Sequence, residues 1–381
     1  MNPLLELRAL GQSIWLDFIR RDLFAGELDR LIEEDGLAGL TSNPTIFAAA
    51  IGKSGLYDDA IRACDSAWTP EAVFEAIAVA DVQQAADLFR PLHEATGGRD
   101  GFVSIEVRPA LAYDAEGTIA EVRRLWAACD RPNVMVKIPG TRPGLIAIER
   151  CLSEGIPVNV TLLFAVGRYL EVMDAWCAAL EARIARGEPV QPLASVASFF
   201  VSRVDTQMDR RLAERREAAR SEAEREAIGR LLGRVAIANA RVAYQRFEER
   251  VRTPRVAALE RAGAQLQRPL WASTSTKDPA LADVYYVEAL VAPHTVSTLP
   301  PATLAAYRDH GHPAVRIHDE LDQAHRILAR LAELGIDYDE VTAELETEGV
   351  RRFARSYDEL IATIAEKHAR VQGRAAASAH V

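Results

Sequence analysis

Short apolar runs rich in β-branched residues alternate along the chain with longer stretches whose apolar positions recur at helical spacing. Apolar runs of this length are typical of strands buried on both faces of a parallel sheet. The intervening stretches, such as 71–89 and 144–151, fit amphipathic helices. The pattern predicts eight strands: Ser13–Ile19, Leu37–Thr41, Phe102–Val107, Val134–Ile138, Pro157–Thr161, Leu193–Phe199, Pro269–Thr274 and Leu290–Ser297.

The order of these elements predicts an α/β fold. Strands that alternate with helices form βαβ units, which build a parallel sheet. Eight units fit a single (β/α)8 TIM barrel with additional outer helices. We expect one barrel domain with C-terminal helices over residues 1–373, and a disordered tail over 374–381. A doubly wound sheet is the alternative, although no GxGxxG motif opens any of the helices.

The segment 209–234 is unusually rich in charge. It carries 14 charged residues of both signs in 26 positions, with leucine and alanine between them. Mixed charge with recurring apolar positions is typical of a helix with a solvated face. We therefore expect this segment to form a helix on the outside of the barrel.

Composition excludes several classes of function. The 381 residues carry a net charge of −10, whereas nucleic-acid-binding domains are normally basic. No apolar run approaches the roughly 18 residues that a membrane helix needs, so no membrane association is expected. The four cysteines lack CxxC spacing and lie in apolar segments, which favours buried thiols and a cytoplasmic location.

One lysine stands in a setting that suggests chemistry. Only four of the 45 basic residues are lysines, and Lys137 interrupts the apolar run Val134–Ile138. Alternation along a strand turns Met135 and Lys137 to the same side. In a barrel, Lys137 would point inward near the C-terminal end of its strand, where catalytic residues of this fold lie. The structural alternative is a lysine that reaches out of the barrel mouth or pairs with a carboxylate.

Polar side chains also occur near the ends of other predicted strands. Any one of them could be a buried hydrogen-bonding residue, but barrel interiors are normally filled by branched aliphatic side chains. Together they predict a polar pocket that contains one amine and two carboxylates. These polar residues are Asp17, Asn43, Glu106, Asn159, Thr161 and Ser198.

An amine placed among carboxylates suits Schiff-base chemistry. An unperturbed lysine is neutral in roughly one molecule in 2,500 at pH 7, and burial favours the neutral, nucleophilic form. Lys137 would attack a carbonyl, Glu106 would move the protons that expel water, and Asp17 would be the base in retro-aldol cleavage. This class I aldol chemistry needs no metal and no organic cofactor. The eight histidines lie mostly late in the chain, so no zinc site is predicted.

The sequence resembles the transaldolase family, and its length and inserted helices resemble the longer bacterial branch. The matching segments follow the family's order between Asp17 and Pro300. They are LTSNPTIF (40–47), VSIEVRP (103–109), VMVKIPGT (134–141), VNVTLLF (158–164), SFFVSRVD (198–205), LWASTSTKDP (270–279) and APHTVSTLP (292–300).

The resemblance implies transfer of a dihydroxyacetone unit from sedoheptulose 7-phosphate to glyceraldehyde 3-phosphate. The products would be erythrose 4-phosphate and fructose 6-phosphate, as in the non-oxidative pentose phosphate pathway. The implied partners are phosphorylated sugars, with a homodimer left open. Lys137 would carry the Schiff base, and Asp17 and Glu106 would be the acid/base groups.

Two further positions follow from the resemblance. Shorter family members hold the substrate phosphate with an arginine after the seventh strand, where this chain has the segment 273–277, so Arg203 and Lys277 are the expected phosphate ligands. Phe200 falls where transaldolases carry an apolar ring beside the active-site water, with Phe199 as the alternative register. The predicted catalytic residues are thus Lys137, Glu106, Asp17 and Thr161, and the predicted substrate-binding residues are Asn43, Asn159, Ser198, Phe200, Arg203 and Lys277.

Three alternatives remain open at this point. The first is a related fructose 6-phosphate aldolase that releases free dihydroxyacetone. The second is a barrel isomerase or synthase that uses Lys137 only as a general base. The third is a non-catalytic barrel that serves as a binding scaffold. Borohydride trapping tests the second, because an irreversible adduct requires an imine, and omission of the acceptor aldehyde tests the first.

Overall fold

The computed structural model describes residues 2–191 and 193–378, with side chains described as far as residue 371. Eight parallel strands pair in chain order, and the first also pairs with the eighth, so the sheet closes into a barrel. The predicted (β/α)8 barrel is confirmed. Its strands are β1 Gln12–Asp17, β2 Gly39–Thr41, β3 Phe102–Glu106, β4 Val134–Pro139, β5 Val158–Leu163, β6 Ser195–Phe200, β7 Arg268–Ala272 and β8 Thr295–Leu299.

Helices connect the strands and form the outer layer of the barrel. Several begin with a side-chain cap, such as Asn43, Asp114 and Thr141, each of which accepts a hydrogen bond from a backbone N–H of the first turn. None of the described helices is both long and apolar enough to span a bilayer. They are α1 Pro3–Ala9, α2 Glu27–Asp35, α3 Pro44–Gly52, α4 Asp58–Ala63, α5 Pro70–Ala95, α6 Ala115–Cys129, α7 Arg142–Ser153, α8 Val166–Ala185, α9 Ser202–Glu217, α10 Glu222–Gly229, α11 Val235–Val251, α12 Pro254–Arg261, α13 Tyr285–Ala289, α14 Pro301–His310, α15 Leu321–Glu333 and α16 Tyr338–Ser378.

Two sequence predictions need correction. The eighth strand was expected over Leu290–Ser297 but begins at Thr295, because the apolar residues before it form a buried loop that ends at His294 with a φ of 57°. The charged segment 209–234 is not one helix. It comprises the end of α9, the short helix α10 and the turns around Gly233, whose positive φ of 69° interrupts regular helix.

A buried ion pair closes the barrel at the N-terminal ends of its strands. Arg268 of β7 donates to Asp100 at 2.9 Å and to the hydroxyl of Ser13 on β1 at 2.8 Å, and its side chain is 7% exposed. It also donates to the backbone carbonyl of Arg99 at 2.6 Å. The guanidinium therefore joins opposite parts of the barrel below the candidate site.

The last helix, α16, packs across the C-terminal ends of the strands. Thr45 at the start of α3 donates to Ser356 of α16 at 2.9 Å, and Tyr357 packs edge to face on Phe74 of α5. Nearer its start, the Tyr338 hydroxyl accepts from the backbone N–H of Val166 at 3.1 Å. The predicted domain boundary at residue 373 falls inside this helix, and residues 379–381 of the predicted tail lie outside the described residues.

Candidate active site

Lys137 is buried inside the barrel near the C-terminal end of β4. Its residue exposure is 5%, and its Nζ donates to the backbone carbonyl of Ser42 at 3.1 Å. Ser42 follows β2 directly, and its hydroxyl donates to the carbonyl of Ser104 on β3 at 2.8 Å. Neighbouring strands thus fix the amine at the floor of the cavity described below.

Glu106 stands beside Lys137 because β3 and β4 pair with these two residues in register. Its Oε2 atom lies 3.4 Å from the Lys137 Nζ, and its side chain is 5% exposed. Burial raises the pKa of the Glu106 carboxyl, and the neighbouring Lys137 ammonium opposes this rise. A carboxyl group whose pKa is raised in this way keeps its proton to a higher pH than an exposed glutamate does, which suits a group that must give and accept protons.

Asp17 supplies the second carboxylate. It is the last residue of β1 and pairs in register with Thr41 of β2, whose hydroxyl donates to Asp17 Oδ1 at 2.7 Å. The Asp17 charge also contributes to the raised pKa of Glu106, so the two carboxylates share one electrostatic environment. One amine and two carboxyl groups therefore lie near the C-terminal ends of β1, β3 and β4.

The predicted polar residues of β5 and β6 occupy two levels. Asn159 is fully buried, donates to Ser104 at 3.1 Å and accepts from the Ser198 hydroxyl at 2.7 Å. Ser198 and Thr161 line the cavity, whereas Asn159 lies behind them. The Thr161 hydroxyl is buried and has no hydrogen-bond partner among the described side chains and backbone. It is therefore available to a bound substrate or water.

The cavity has a volume of about 260 Å³ and opens at the C-terminal ends of the strands. Asn43 lines it at the start of α3, where its side-chain oxygen accepts from the backbone N–H of Ile46 at 3.0 Å. The other cavity-lining residues are Asp17, Thr41, Thr45, Ile46, Lys137, Thr161, Ser198, Phe200, Arg203, Ala272, Ser273, Ser275, Lys277, Thr298, Pro300, Arg352 and Phe353.

The two aromatic residues at the end of β6 face opposite ways. Phe200 lines the cavity and packs on Phe164 at a ring distance of 5.2 Å. Phe199 packs instead between Tyr169 of α8 and Trp271 of β7, in the layer between strands and helices. The structure thus puts Phe200, and not Phe199, in the cavity with Lys137 and Asp17.

Both predicted phosphate ligands lie at the mouth of the cavity. Arg203, in the first turn of α9, has its guanidinium 4.9 Å from the ring centre of Phe200. Burial, together with the charge of Arg352, lowers the pKa of Arg203 to about 10. Lys277 lies at the exposed rim and donates to Ser275 at 2.7 Å. Burial, Arg203 and Arg352 lower the pKa of the Lys277 ammonium.

Ten of the cavity-lining residues were not predicted from the sequence, and four of them, Thr41, Thr298, Arg352 and Phe353, show what the prediction missed. Thr41 is an inward residue of β2 and could have been found from strand alternation, as the other polar residues were. Thr298 is an inward residue of β8 but lies one position beyond the predicted eighth strand, so the error in that strand hid it. Arg352 and Phe353 come from α16 and enter the site only because that helix crosses the barrel mouth. No local pattern in the sequence signals that crossing.

Among the described residues, no cluster of three or more His, Cys, Asp or Glu side chains is placed to hold a metal ion.

Comparison with known proteins shows to which family the chain belongs. A family model described as transaldolase/fructose-6-phosphate aldolase matches residues 14–364. The chain belongs to this family. The transaldolases, which the seven motif segments resemble, are part of this family, so the resemblance is confirmed.

Individual relatives match along nearly the whole chain. A transaldolase of Acidothermus cellulolyticus is 50% identical over 386 residues, which cover 98% of this chain and 100% of the relative. A transaldolase of Frankia alni is 49% identical over 370 residues, covering 96% and 97% of the two chains. A Nostoc protein named transaldolase 2 is 42% identical over 372 residues, with coverage of 96% and 98%.

Proposed function

We propose that this protein is a transaldolase, a transferase of aldehyde or ketone units. It moves a dihydroxyacetone unit from sedoheptulose 7-phosphate to glyceraldehyde 3-phosphate, yielding erythrose 4-phosphate and fructose 6-phosphate. The observation that carries the proposal is the buried amine of Lys137 within 3.4 Å of a Glu106 carboxyl, with the Asp17 carboxylate lining the same cavity. Full-length relatives that bear the name transaldolase support the choice within the family.

The first stage is formation of the Schiff base. The neutral Nζ of Lys137 attacks the ketone carbon of the donor, and a proton moves to the carbonyl oxygen to give a carbinolamine. Glu106 protonates the carbinolamine hydroxyl, water leaves, and an iminium ion remains on Lys137. The raised pKa of Glu106 favours this role because the protonated carboxyl persists closer to neutral pH.

The second stage is cleavage of the donor. With the iminium carbon numbered C2, Asp17 takes the proton from the C4 hydroxyl, and the bond between C3 and C4 breaks. The aldehyde erythrose 4-phosphate leaves, the electron pair of the broken bond forms a C2=C3 double bond, and the π electrons of the iminium bond move to nitrogen to give an enamine. The Thr41 hydroxyl holds Asp17 Oδ1 in place for this transfer.

Transfer then runs these steps in reverse with a new partner. The enamine carbon attacks the aldehyde carbon of glyceraldehyde 3-phosphate, and Asp17 returns its proton to the new hydroxyl. Water adds to the regenerated iminium ion, and release of fructose 6-phosphate frees Lys137. Thr161 and Ser198 line this cavity and are the proposed contacts for water and sugar hydroxyls, while Asn159 holds Ser198 from behind.

The alternative within the family is an aldolase that lets water consume the enamine. Phe200 argues for transfer, because its apolar ring lies in the cavity and offers no proton to the enamine carbon. The intermediate would therefore persist until an acceptor aldehyde enters.

We also propose a cytoplasmic location and a homodimer. In the described part of the chain the buried residues Cys129, Cys151 and Cys177 form no disulfide, and burial raises the pKa of the Cys177 thiol to about 11. Unreactive thiols fit a reducing compartment. Light scattering on the purified protein tests the assembly, since a monomer mass at micromolar concentration would contradict the homodimer.

Trapping with borohydride tests the Schiff base directly. Reduction in the presence of fructose 6-phosphate should fix the sugar irreversibly, and mass spectrometry of peptides should place the adduct on Lys137. Lys137→Arg should form no adduct, because a guanidinium does not form an imine at neutral pH. The exposed Lys53 gives a matched control, and Lys53→Arg should trap the sugar as the wild type does. An adduct on another lysine would overturn the assignment.

An acceptor-omission assay separates transferase from aldolase. With fructose 6-phosphate and erythrose 4-phosphate together, sedoheptulose 7-phosphate and glyceraldehyde 3-phosphate should form rapidly. With fructose 6-phosphate alone, release of free dihydroxyacetone should be negligible. Equal rates of release and transfer would favour the aldolase.

A further inference from the structure

Two cavities meet at the mouth of the barrel. The cavity that contains Lys137 borders an outer groove of about 330 Å³, which runs between α9 and α16. The residues that line both are Arg203, Ser273, Lys277 and Arg352. A ligand that enters the inner cavity from the groove must therefore pass three cations and one serine.

These three cations form few direct contacts with carboxylates, although Asp17 lines the inner cavity and Glu348 lines the groove. No ion pair is formed by Arg203 or Lys277 within the described residues, and Lys277 donates only to a serine hydroxyl. Arg352 has one weak partner, Glu348 one helical turn earlier, at 3.5 Å between half-exposed side chains. The charge of Arg352 lowers the pKa of both other cations. Three positive groups that repel each other form a site that an anion would stabilise.

The packing of α16 against the barrel determines the position of Arg352. The ring centre of its neighbour Phe353 lies 5.7 Å from the Arg203 guanidinium. The ring of Phe200 also packs on this guanidinium. One turn earlier, a Cβ atom on Gly349 would lie 2.9 Å from the Leu162 side chain of β5, so the helix approaches the barrel closely at this point. Arg203 and Arg352 are thus brought to one place by β6, α9 and α16.

We infer that Arg352 is a third cationic ligand for the phosphate ester of the sugar substrate, acting with Arg203 and Lys277. The inference rests on the proposed function, because it assigns the phosphorylated end of that substrate to the junction of the two cavities. A phosphate monoester carries about two negative charges at pH 7. A guanidinium binds its oxygens with two parallel N–H groups, which the Lys277 ammonium cannot do. The C-terminal helix therefore supplies the bidentate group that the segment 273–277 lacks.

A substrate-selectivity measurement tests the inference. Arg352→Ala should lower kcat/KM for glyceraldehyde 3-phosphate about tenfold, through KM, and should change kcat/KM for unphosphorylated glyceraldehyde less than about twofold. Arg351→Ala is the matched control, because it removes the same charge from the adjacent exposed position of α16, outside both cavities. Equal losses on the two aldehydes, or an equal effect of Arg351→Ala, would overturn the inference.

Binding of inorganic phosphate gives a readout that does not depend on turnover. Calorimetric titration should show phosphate bound about tenfold more weakly to Arg352→Ala than to the wild type, with Arg352→Lys between them. If the wild type binds phosphate in this way but transfers no dihydroxyacetone, the proposed function fails and the anion site stands. If transfer occurs but phosphate affinity and aldehyde selectivity are unchanged in Arg352→Ala, the inference alone fails. Arg352→Gln, which keeps the three side-chain carbons and a polar end without the charge, replaces the alanine variant if that variant does not fold.

Discussion

The Lys137 Nζ atom lies 3.4 Å from Glu106 Oε2, on the adjacent strand and at the same level of the barrel. A charge-assisted hydrogen bond would be shorter, about 2.7–2.9 Å. The carboxyl group is therefore close enough to exchange protons with groups on Nζ through a small displacement or one water, without holding the amine in a tight ion pair. That separation suits the repeated acid and base steps that we propose for Glu106 while the Lys137 nitrogen changes its covalent partners.

Replacing Glu106 and replacing Asp17 should slow different steps of the reaction. Glu106→Gln keeps the shape of the side chain but carries no exchangeable acid proton, so borohydride trapping with fructose 6-phosphate should slow with kcat, which we expect to fall by about 10²–10⁴. Asp17→Asn should lower kcat by a similar factor and still trap the sugar, because it removes the base for cleavage and leaves imine formation intact. Single-turnover trapping and turnover assays measure the two effects. Trapping at wild-type rates in both variants would contradict this division of roles.

The ring of Phe200 should control how the enamine is consumed. Phe200→Tyr adds a hydroxyl to a ring that lines the cavity, and that hydroxyl can activate water or donate a proton. We expect free dihydroxyacetone release from fructose 6-phosphate to rise relative to transfer. Phe199→Tyr is the matched control, since its ring faces Tyr169 and Trp271 outside the cavity. An unchanged ratio of dihydroxyacetone release to transfer in Phe200→Tyr would show that the apolar ring of Phe200 does not protect the enamine.

The barrel could be predicted because each of its strands carries a local signal. Short apolar runs between helical stretches located all eight, with the largest error at β8. There, the apolar residues 290–292 pack as a buried loop, and periodicity alone cannot distinguish such a loop from a buried strand. Hydrophobic runs report burial directly and secondary structure only indirectly.

The candidate site was predictable to the extent that it depends on strand geometry. Strand alternation, and the fact that the C-terminal ends of barrel strands lie on one face, predicted that Lys137, Glu106 and Asp17 would lie close together, as they do in the structure. The same logic placed Asn159 at the cavity, but Ser198 covers it. Arg352 could not be found in this way, because its position depends on the tertiary path of α16, which no short-range pattern specifies.

Removal of one partner from the buried ion pair below the site should destabilise the barrel strongly. Asp100→Ala leaves the Arg268 guanidinium without its carboxylate at a position 7% exposed, and we expect a loss of about 3–5 kcal/mol in the free energy of unfolding. Glu94→Ala is the control, because it removes a carboxylate from the exposed pair with Arg90, where about 0–1 kcal/mol is expected. Urea unfolding followed by circular dichroism measures both. Similar losses in the two variants would show that burial does not determine the contribution of the pair.

Asp205 gives the protein a pH dependence of stability with an unusual sign. The carboxylate accepts from the backbone N–H of Ala236 at 2.7 Å and from the Tyr286 hydroxyl at 2.8 Å, yet burial raises the pKa of Asp205 to about 7. In the unfolded chain the pKa of this group returns to about 3.9. Between these two values the folded protein retains a proton that the unfolded chain has released, so this residue's contribution to stability falls as pH rises and becomes constant above about pH 7.

The variant Asp205→Asn isolates that contribution, because a carboxamide fills the same space without titrating. We expect the difference in unfolding free energy, wild type minus Asp205→Asn, to decrease between pH 4 and pH 7 by several kcal/mol, with about 4 kcal/mol as the limit. Asp322→Asn, at an exposed position in the first turn of α15, should show no such trend. Urea unfolding at intervals of half a pH unit provides the measurement. A difference that grows with pH would mean that the two hydrogen bonds outweigh burial and hold Asp205 ionised in the folded protein.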